Sequence, residues 1–367
     1  MHESFTLLSI GDALHEPFAS SELVFFPKDA HAEVKADPKG PWTAKVLPYA
    51  NVWRYLQRLN TLAFGGWQLG EPQIITLSDR LIVLISVTVA GVTIWGVGEE
   101  MLAGTATRVD ENAFRGAWAQ ATKRACAYFG LGLFLYFLGK PRSMAYDPKE
   151  RRIAASDEDL SAMAEEMLSR ARGMNQLVVP PACLVADLAG LHDRYLVEPF
   201  PVGQVHFLGF DARETESGSV ATAAPFVRVW DLVRRLNATA YECWQVLAPR
   251  VTVADNKALV TLTLDLFGTS FVGTGEAFFI KTFKGEDVVN DHAVEDAWAE
   301  AMKGACNTAD LGLYLRFLPQ LQFPYRTKWR SFDDEPGIAT VSLTSGIQNA
   351  STCCPTKRSP RFSAEAA

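Results

Sequence analysis

One stretch of this sequence occurs twice. Residues 114–138 return 180 positions later as residues 294–318. The two stretches share a tryptophan, a lysine, a cysteine and a Leu-Gly-Leu triplet in register: Trp118 with Trp298, Lys123 with Lys303, Cys126 with Cys306, and 131–133 with 311–313. Because both copies must form the same kind of element, this repeat constrains the fold more than any local pattern.

The repeat extends towards the N-terminus at an offset of 177 residues. Residues 51–68 return as 228–245, and Glu16-Pro17-Phe18 recurs at 198–200. The matched residues are mainly aromatic residues and glycines: Trp53 with Trp230, Asn60 with Asn237, Trp67 with Trp244, Gly91 with Gly268, Gly96 with Gly273, Gly98 with Gly275, and Glu99 with Glu276. We interpret the chain as a tandem duplication.

Each copy is predicted to be a β-α-β-β-β-α unit, which makes the chain an α+β protein. Val52, Leu56, Leu59 and Ala63 are spaced as on an amphipathic helix that ends at Gly65-Gly66. Runs rich in Val, Ile and Thr follow at 73–77, 81–89 and 92–97, and their counterparts lie at 250–254, 258–267 and 269–281. Short turns between the runs predict an antiparallel meander.

The long helix after each meander is expected to cover one of its faces. Phe114, Trp118, Ala121, Ala125 and Phe129 fall on one helical stripe, which we expect to be buried. The tryptophans of both copies could stack on nucleic-acid bases, but their helical register predicts core positions for them: Trp53, Trp67, Trp118, Trp230, Trp244 and Trp298.

The repeat divides the chain into four predicted segments. The first unit spans residues 1–140, a helical connector 141–197, the diverged second unit 198–330, and a disordered tail 331–367. Ser156 precedes a predicted helix from about Asp159 to Arg172 in the connector. The tail is rich in Ser, Thr, Pro and Gly and lacks apolar periodicity.

Composition excludes several classes of function. The six cysteines have no paired metal-ligand spacing, the six histidines are scattered, and carboxylate pairs stand without a nucleophile or base. We therefore predict no metal, no cofactor and no enzyme activity. No secretory signal is evident, and core thiols at Cys126 and Cys306 suggest a reducing compartment, so we expect a cytoplasmic protein that associates with the nucleoid if it is bacterial. The net charge is −7, which weighs against strong binding of nucleic acid.

An ordered series of short motifs resembles the Rad fifty-two/Rad twenty-two family of single-strand annealing proteins. The series begins with residues 49–52, continues through Arg58-Leu59-Asn60, Gly66-Trp67-Gln68 and Gly-Val-Gly-Glu at 96–99, and ends with the Lys-Arg pair and Phe-Gly turn of 121–132. The resemblance covers nearly all of 14–138 and, more weakly, 197–318.

The resemblance implies binding of single-stranded DNA in a groove and a homo-oligomer, either a ring or a head-to-tail array. By this similarity Lys123 and Arg124 contact the DNA backbone, and Lys303 is their partial counterpart. Arg54 and Arg58, on the outer face of the first helix, are further candidates, with solvation of that face as the alternative. The second copy departs from the pattern at Gly304 and at 308–310, which puts its DNA binding in doubt.

Two functions are compatible with these features. The first is a single-stranded DNA-binding protein of recombination and DNA repair that anneals or protects strands, with a recombinase or other repair protein as a further partner and no membrane association. The second is a structural or protein-interaction module that retains the fold but binds little DNA. Capture of the backbone by fixed cations would leave the bases accessible to a complementary strand.

Overall fold

The computed structural model describes residues 6–32, 42–104, 108–109, 112–138, 142–150, 152–174, 196–215, 218–283, 286–317, 321–326 and 331–332. These residues form a mixed α+β structure with antiparallel sheets, which confirms the α+β part of the prediction. The α-helices are α1 (Leu7–His15), α2 (Val52–Ala63), α3 (Ala113–Tyr128), α4 (Asp157–Met174), α5 (Val229–Ala240) and α6 (Ala293–Thr308). Residues 333–367 of the predicted tail and residues 175–195 of the predicted connector lie outside the described residues, whereas Ser331–Phe332, at the start of that tail, form a short strand.

The strands lie in short antiparallel sheets. Strands β1 (Leu23–Ala32), β2 (Trp42–Ala50), β9 (Arg142–Asp147) and β10 (Arg152–Ile153) form one sheet, and β3 (Trp67–Leu69), β4 (Gln73–Thr76), β5 (Arg80–Val89) and β6 (Val92–Met101) form another. The remaining sheets contain β7 (Ala103–Gly104), β8 (Arg108–Val109), β11 (Val205–Thr215), β12 (Gly218–Val227), β13 (Trp244–Ala254), β14 (Lys257–Leu266), β15 (Thr269–Phe278), β16 (Ile280–Phe283), β17 (Glu286–Val289), β18 (Leu321–Arg326) and β19 (Ser331–Phe332).

The chain divides into two compact units, each made of two separate segments. The first contains Met1–Leu191 and Val229–Ala309, and the second contains His192–Arg228 and Asp310–Ala367. This division differs from the four consecutive segments predicted from the repeat, because residues 229–309 pack with the first part of the chain. In the second unit, β11, β12, β18 and β19 form a four-stranded sheet.

Both meanders lie in the first compact unit. Strand β5 pairs along its whole length with β6, and the turn between them places Ala90 at φ 50° and Gly91 at φ 84°. Two successive positive φ values are the geometry of a two-residue hairpin turn. Strands β13, β14 and β15 form the corresponding three-stranded sheet. The predicted strands are therefore confirmed, whereas helix α1 and strand β2 were not predicted.

Helices α3 and α6 lie unusually close to their sheets. A Cβ atom built on Gly98 would overlap the carbonyl oxygen of Ala117, and one on Gly275 would overlap that of Ala297. Because Gly98 and Gly275 have no side chains, the helix backbone can lie directly against the strand at these positions.

The predicted buried stripe of α3 needs correction. Phe114 is 45 % exposed and Trp118 is half-buried, whereas Ala117, Ala121 and Ala125 are fully buried. Since the contact is made backbone to backbone, the inward face of the helix accommodates alanines and displaces the larger rings to its edges.

Helix α4 covers the β1–β2–β9–β10 sheet. Met163 and Met167 pack on Ala44 and Val46 of β2 and on Ile153 of β10. The helix predicted from about Asp159 to Arg172 is thus confirmed, beginning two residues earlier. Helix α4 therefore covers one face of the β1–β2 hairpin and does not cover the opposite face.

Candidate nucleic-acid interface

The outer face of the β1–β2 hairpin is apolar and carries a lysine. Val24 lies opposite Tyr49, and Phe26 lies opposite Leu47. Because directly paired residues of an antiparallel ladder point to the same face, these four side chains share one surface. Val24 is 49 % and Phe26 59 % exposed, and Lys45, on the same face of β2, is exposed too.

Lys123 continues this face onto α3. Its ammonium nitrogen lies 5.1 Å from the centre of the Tyr49 ring, within the range of a cation–π contact. Burial lowers the pKa of Lys123, the neighbouring Arg124 lowers it further, and Glu100 acts in the opposite direction. The contact therefore joins Lys123, a predicted site residue, to an aromatic residue that was not predicted to belong to the site.

Arg124 is held inside the packing of the first compact unit. One guanidinium nitrogen donates to the Val97 carbonyl oxygen at 2.7 Å, and the other lies 2.6 Å from a Glu295 carboxylate oxygen. Its side chain is 13 % exposed. The Arg124 guanidinium is therefore engaged by the Glu295 carboxylate of α6 and by the Val97 carbonyl oxygen of β6.

Arg58 holds the segment that follows α1. It donates hydrogen bonds to the carbonyl oxygens of Glu16 and Pro17, and it forms an ion pair with Glu22 at 3.5 Å. Its guanidinium lies 4.5 Å from the centre of the Phe18 ring. Burial lowers the pKa of Arg58, whereas the carboxylates of Glu22 and Glu16 raise it.

Arg54 is exposed and donates to the Gln57 side-chain oxygen at 3.0 Å. With Arg58 it lines an open cavity of about 610 Å³. Three carboxylates line the same cavity, namely Asp12, Glu16 and Glu22. The two arginines therefore do not form a surface of net positive charge here.

Lys303 occupies on α6 the position that Lys123 occupies on α3. Burial lowers the pKa of Lys303, whereas the carboxylates of Glu300 and Asp296 raise it. Two carboxylates thus act on Lys303, whereas Lys123 has one nearby carboxylate and the cation Arg124. The two lysines therefore differ in their electrostatic setting.

The core positions predicted for the tryptophans are wrong for the first copy. Trp53 is 63 % exposed, and its ring centre lies 6.0 Å from that of the half-buried Trp118. The buried residues of α2 are Val52, Tyr55, Leu59 and Ala63. Trp53 lies one position, or about 100°, away from that stripe on the helix.

Trp67 is half-buried as well. In the second copy Trp244 and Trp298 are buried, as predicted, and Trp230 is half-buried. Equivalent positions of the repeat therefore differ in exposure.

Strand β2 carries two residues of the candidate face, Lys45 and Tyr49, that were not predicted as site residues, although Tyr49 belongs to the motif series. Residues 42–46 do alternate between apolar and polar side chains, which is a strand signal. Pro48 interrupts that pattern, and proline inside a run argues against a strand unless it lies at an edge.

Other kinds of site have little support in the described part of the chain. It contains no group of three or more His, Cys, Asp or Glu residues placed to hold a metal ion. Burial raises the pKa of the Cys126 and Cys306 thiols to about 12. No helix within the described ranges is long and apolar enough to cross a membrane. No protein-family model matches this sequence, and no curated protein matches it either.

Proposed function

We propose that this chain binds single-stranded DNA in recombination or repair, and that it anneals or protects single strands. The observation that carries the proposal is the contact between Lys123 and Tyr49, which joins a cation to the exposed apolar face of the β1–β2 hairpin. The motif series that resembles the Rad fifty-two/Rad twenty-two family supports the same activity.

The hairpin face suits a strand bound without sequence readout. Such binding combines cations that follow the phosphates with rings on which bases stack. Lys45 and Lys123 supply the cations, and Phe26 supplies an exposed ring. With the phosphates held by lysines, the bases remain accessible to a complementary strand, as annealing requires.

Arg124 contributes less to this proposed surface than Lys123. Its guanidinium is 2.6 Å from Glu295, which offsets its charge towards a phosphate. Arg54 and Arg58 remain peripheral members, since carboxylates line the cavity that they share. The net charge of −7 makes the proposed binding local and sensitive to salt.

The chain is proposed to consist of two copies of one β-α-β-β-β-α unit with unequal roles. The paired glycines under α3 and α6 and the two hairpin meanders support this duplication. In the second copy Thr222 stands at the sequence position of Lys45, and Gly304 stands at that of Arg124. Lys303 is accompanied by two carboxylates. DNA binding is therefore assigned to the first copy.

The proposal predicts a loss of affinity when the two lysines of the first copy are neutralised together. Lys45→Gln with Lys123→Gln should weaken binding of a fluorescent oligothymidylate at least tenfold at low salt. It should also reduce the slope of log K against log salt by about 1.4, since each single-strand phosphate contact contributes about 0.7. Fluorescence anisotropy titrations at several salt concentrations measure both quantities.

Lys303→Gln is the matched control, because it makes the same change at the equivalent helix position. It should leave affinity and slope close to those of the unmodified protein. An equal loss in this variant would contradict the assignment to the first copy. Unchanged binding in a folded Lys45→Gln, Lys123→Gln double variant would remove the hairpin face from the site.

The alternative is a structural or protein-interaction module with little DNA binding. The engagement of Arg124 by Glu295 and of Arg58 by Glu22 favours it, because both arginines stabilise the fold. Absence of single-strand binding by the unmodified chain even at low salt would contradict the DNA-binding proposal and leave this alternative.

A further inference from the structure

Strands β6 and β15 are equivalent strands of the proposed duplication, and each is the last strand of its meander. Within the described residues, β6 pairs with β5 and β15 pairs with β14. Each strand therefore has a second edge, on which its backbone groups take no part in a strand ladder. Three pairs of equivalent residues lie along the two edges: Thr93 with Ser270, Val97 with Thr274, and Glu99 with Glu276.

Side chains bind backbone N–H groups on the edge of β6. The Thr93 N–H donates to the side-chain oxygen of Gln245, in β13, at 3.5 Å. The Glu99 N–H donates to the side-chain oxygen of Gln120, in α3, at 3.5 Å. Both N–H groups point away from β5, as expected for residues an even number of positions apart on one strand.

An arginine closes the same edge at a carbonyl group. The Arg124 guanidinium donates to the Val97 carbonyl oxygen at 2.7 Å, and Val97 has the same parity as Thr93 and Glu99. Side chains thus occupy backbone groups at three places along the edge of β6. An additional strand cannot pair there without displacing them.

The edge of β15 keeps one of these contacts. Glu300 stands at the position of Gln120, and its carboxylate accepts from the Glu276 N–H at 3.3 Å. Gly304 stands at the position of Arg124, and a Cβ atom built on it would lie 3.5 Å from the Thr274 carbonyl oxygen. Helix α6 therefore passes beside this oxygen without offering it a side-chain donor.

The backbone of Ser270 and Thr274 is open on this side. Within the described part of the chain, the structure records no side-chain hydrogen bond to either residue. By their parity with Glu276, their N–H and carbonyl groups point away from β14. This edge, from Ser270 to Thr274, is what we call the open edge.

Apolar side chains flank the open edge on the face of the sheet opposite α6. Gly273 and Gly275 lie against the backbone of α6. Because successive side chains of a strand point to opposite faces, Val272 and Phe278 lie on the other face. They are 56 % and 42 % exposed.

Carboxylates flank the open edge on the side of α6. Asp296, Glu300 and Gly304 are spaced four residues apart, so they form one line along the helix. Asp296 and Glu300 are exposed, and they outnumber the half-buried Lys303 next to them. A segment that pairs with β15 thus meets apolar groups on one of its faces and negative charge on the other.

We infer that the open edge of β15 binds an extended basic segment of another protein by strand addition. In this mode main-chain hydrogen bonds hold the segment, and alternate side chains provide specificity. Its N–H groups donate to the Thr274 carbonyl oxygen, and its carbonyl groups accept from the open N–H groups of β15. Apolar side chains pack on Val272 and Phe278, and lysines or arginines lie beside Asp296 and Glu300.

A second copy of this chain suits the open edge less well. Its first meander presents an edge divided between the short strands β3 and β4. Pro72, between them, has no N–H group to donate. Glu71 is exposed at the same place and would bring another carboxylate to an edge that is already acidic.

Fluorescence anisotropy without DNA tests peptide binding separately from the DNA binding assigned to the first copy. The probe is a fluorescein-labelled nine-residue peptide in which valine and lysine alternate. The unmodified chain should bind it saturably. The same peptide N-methylated at its valines keeps its charge but loses the donors that face β15, so its affinity should fall about tenfold or more.

Gly304→Arg should close the edge, because it restores the arginine found at this position in the first copy. We expect the valine-lysine peptide to bind this variant about tenfold more weakly than the unmodified chain. Gly304→Ala is the matched control, since it replaces the same helix glycine without adding a donor. It should bind the peptide like the unmodified chain.

Thr274→Pro blocks the edge independently of α6. Proline lacks the N–H group that points away from β14, and edge strands accept it where that N–H faces solvent. This variant should lose peptide binding to a similar extent. Urea unfolding of each variant shows that the protein is folded in the binding assay.

Three results would overturn the inference. They are no saturable binding of the valine-lysine peptide, equal binding of its N-methylated form, and equal binding by folded Gly304→Arg and Gly304→Ala. Self-association of the unmodified chain that the peptide dissolves, measured by sedimentation velocity, would assign the open edge to a second copy and contradict a separate partner.

Discussion

Among individual residues, His15 is a buried histidine whose two ring nitrogens both have polar neighbours. Its Nδ1 lies 2.9 Å from the Gly11 carbonyl oxygen, and its Nε2 lies 3.4 Å from the Asn237 side-chain nitrogen. The first nitrogen therefore donates and the second accepts, which describes a neutral imidazole. Burial lowers the pKa of His15 to about 4, although the Gly11 contact and Asp12 act in the opposite direction.

This environment makes the stability of the chain depend on pH. The folded pKa lies below the ordinary value of 6.5, so the unfolded chain binds more protons between pH 6.5 and 4. Stability contributed by neutral His15 is therefore present above pH 6.5 and is lost as the pH falls towards 4. The shift corresponds to about 3 kcal/mol of unfolding free energy.

His15→Gln isolates this effect, because an amide can donate and accept but does not titrate. We expect the unfolding free energy of the unmodified chain to fall by up to about 3 kcal/mol more than that of the variant between pH 6.5 and 4. Urea unfolding across this range measures the difference. Parallel curves for the two proteins would show that the His15 pKa is the same in the folded and unfolded chains.

At the scale of elements, the glycines under α3 set the distance between helix and sheet. Gly98→Ala would place a methyl group against the Ala117 carbonyl oxygen, which belongs to the backbone and cannot rotate away. We expect a loss of about 1–3 kcal/mol in unfolding free energy, as for other overpacked sites. The shift of the urea unfolding midpoint measures this loss.

Gly304→Ala provides the contrast within α6. The added Cβ atom would meet its nearest neighbour, the Thr274 carbonyl oxygen, at 3.5 Å, which is an ordinary contact. Replacing a glycine inside a helix should therefore stabilise the chain by about 0.5–1 kcal/mol. Equal effects of the two substitutions would mean that α3 does not rest on the strand as described.

The elements differ in how far the sequence predicts them. The meander strands are predictable because runs of β-branched residues alternate with short turns, as in β5 and β6. The short distance between α3 and its sheet is predictable only in part from the sequence. Gly96 and Gly98 indicate a close approach, but the predicted buried stripe wrongly included Phe114 and Trp118. Helix periodicity gives the direction of a side chain, not the distance to the neighbouring layer.

The candidate site was predictable only in part for a related reason. Lys123 stands out because a repeat and a resemblance mark it. The Tyr49 ring centre lies 5.1 Å from the Lys123 ammonium nitrogen, but Tyr49 is 74 positions earlier in the sequence. It belongs to a strand that is hard to predict because Pro48 interrupts its pattern. The ion pair between Arg124 and Glu295 joins residues far apart in sequence, so no local sequence pattern predicts it.

At the scale of the molecule, a few polar contacts join the two copies inside the first compact unit. Arg124 meets Glu295 at 2.6 Å, and Glu99 accepts from the Val294 N–H at 2.9 Å. These contacts connect residues more than 170 positions apart, so the unit forms only when residues 229–309 return to the first part of the chain. We therefore expect the two meanders to unfold together.

A double-mutant cycle on Arg124 and Glu295 tests this linkage. Arg124→Ala and Glu295→Ala should each destabilise the chain, and the double variant should lose less than their sum. The coupling should be about 1 kcal/mol or less, since both side chains are partly exposed. Additive losses would mean that the ion pair does not hold the copies together.

The unequal exposure of the tryptophans also has an optical consequence. Trp53, Trp67 and Trp118 face water at least in part, whereas Trp244 and Trp298 are enclosed by protein. Indole emission moves to shorter wavelength and escapes soluble quenchers when water is removed from the ring. Any partner or ligand that covers Trp53, Trp67 and Trp118 would transfer these tryptophans from the quenchable population to the shielded one. The unlabelled chain therefore reports by its own fluorescence whether this surface is covered.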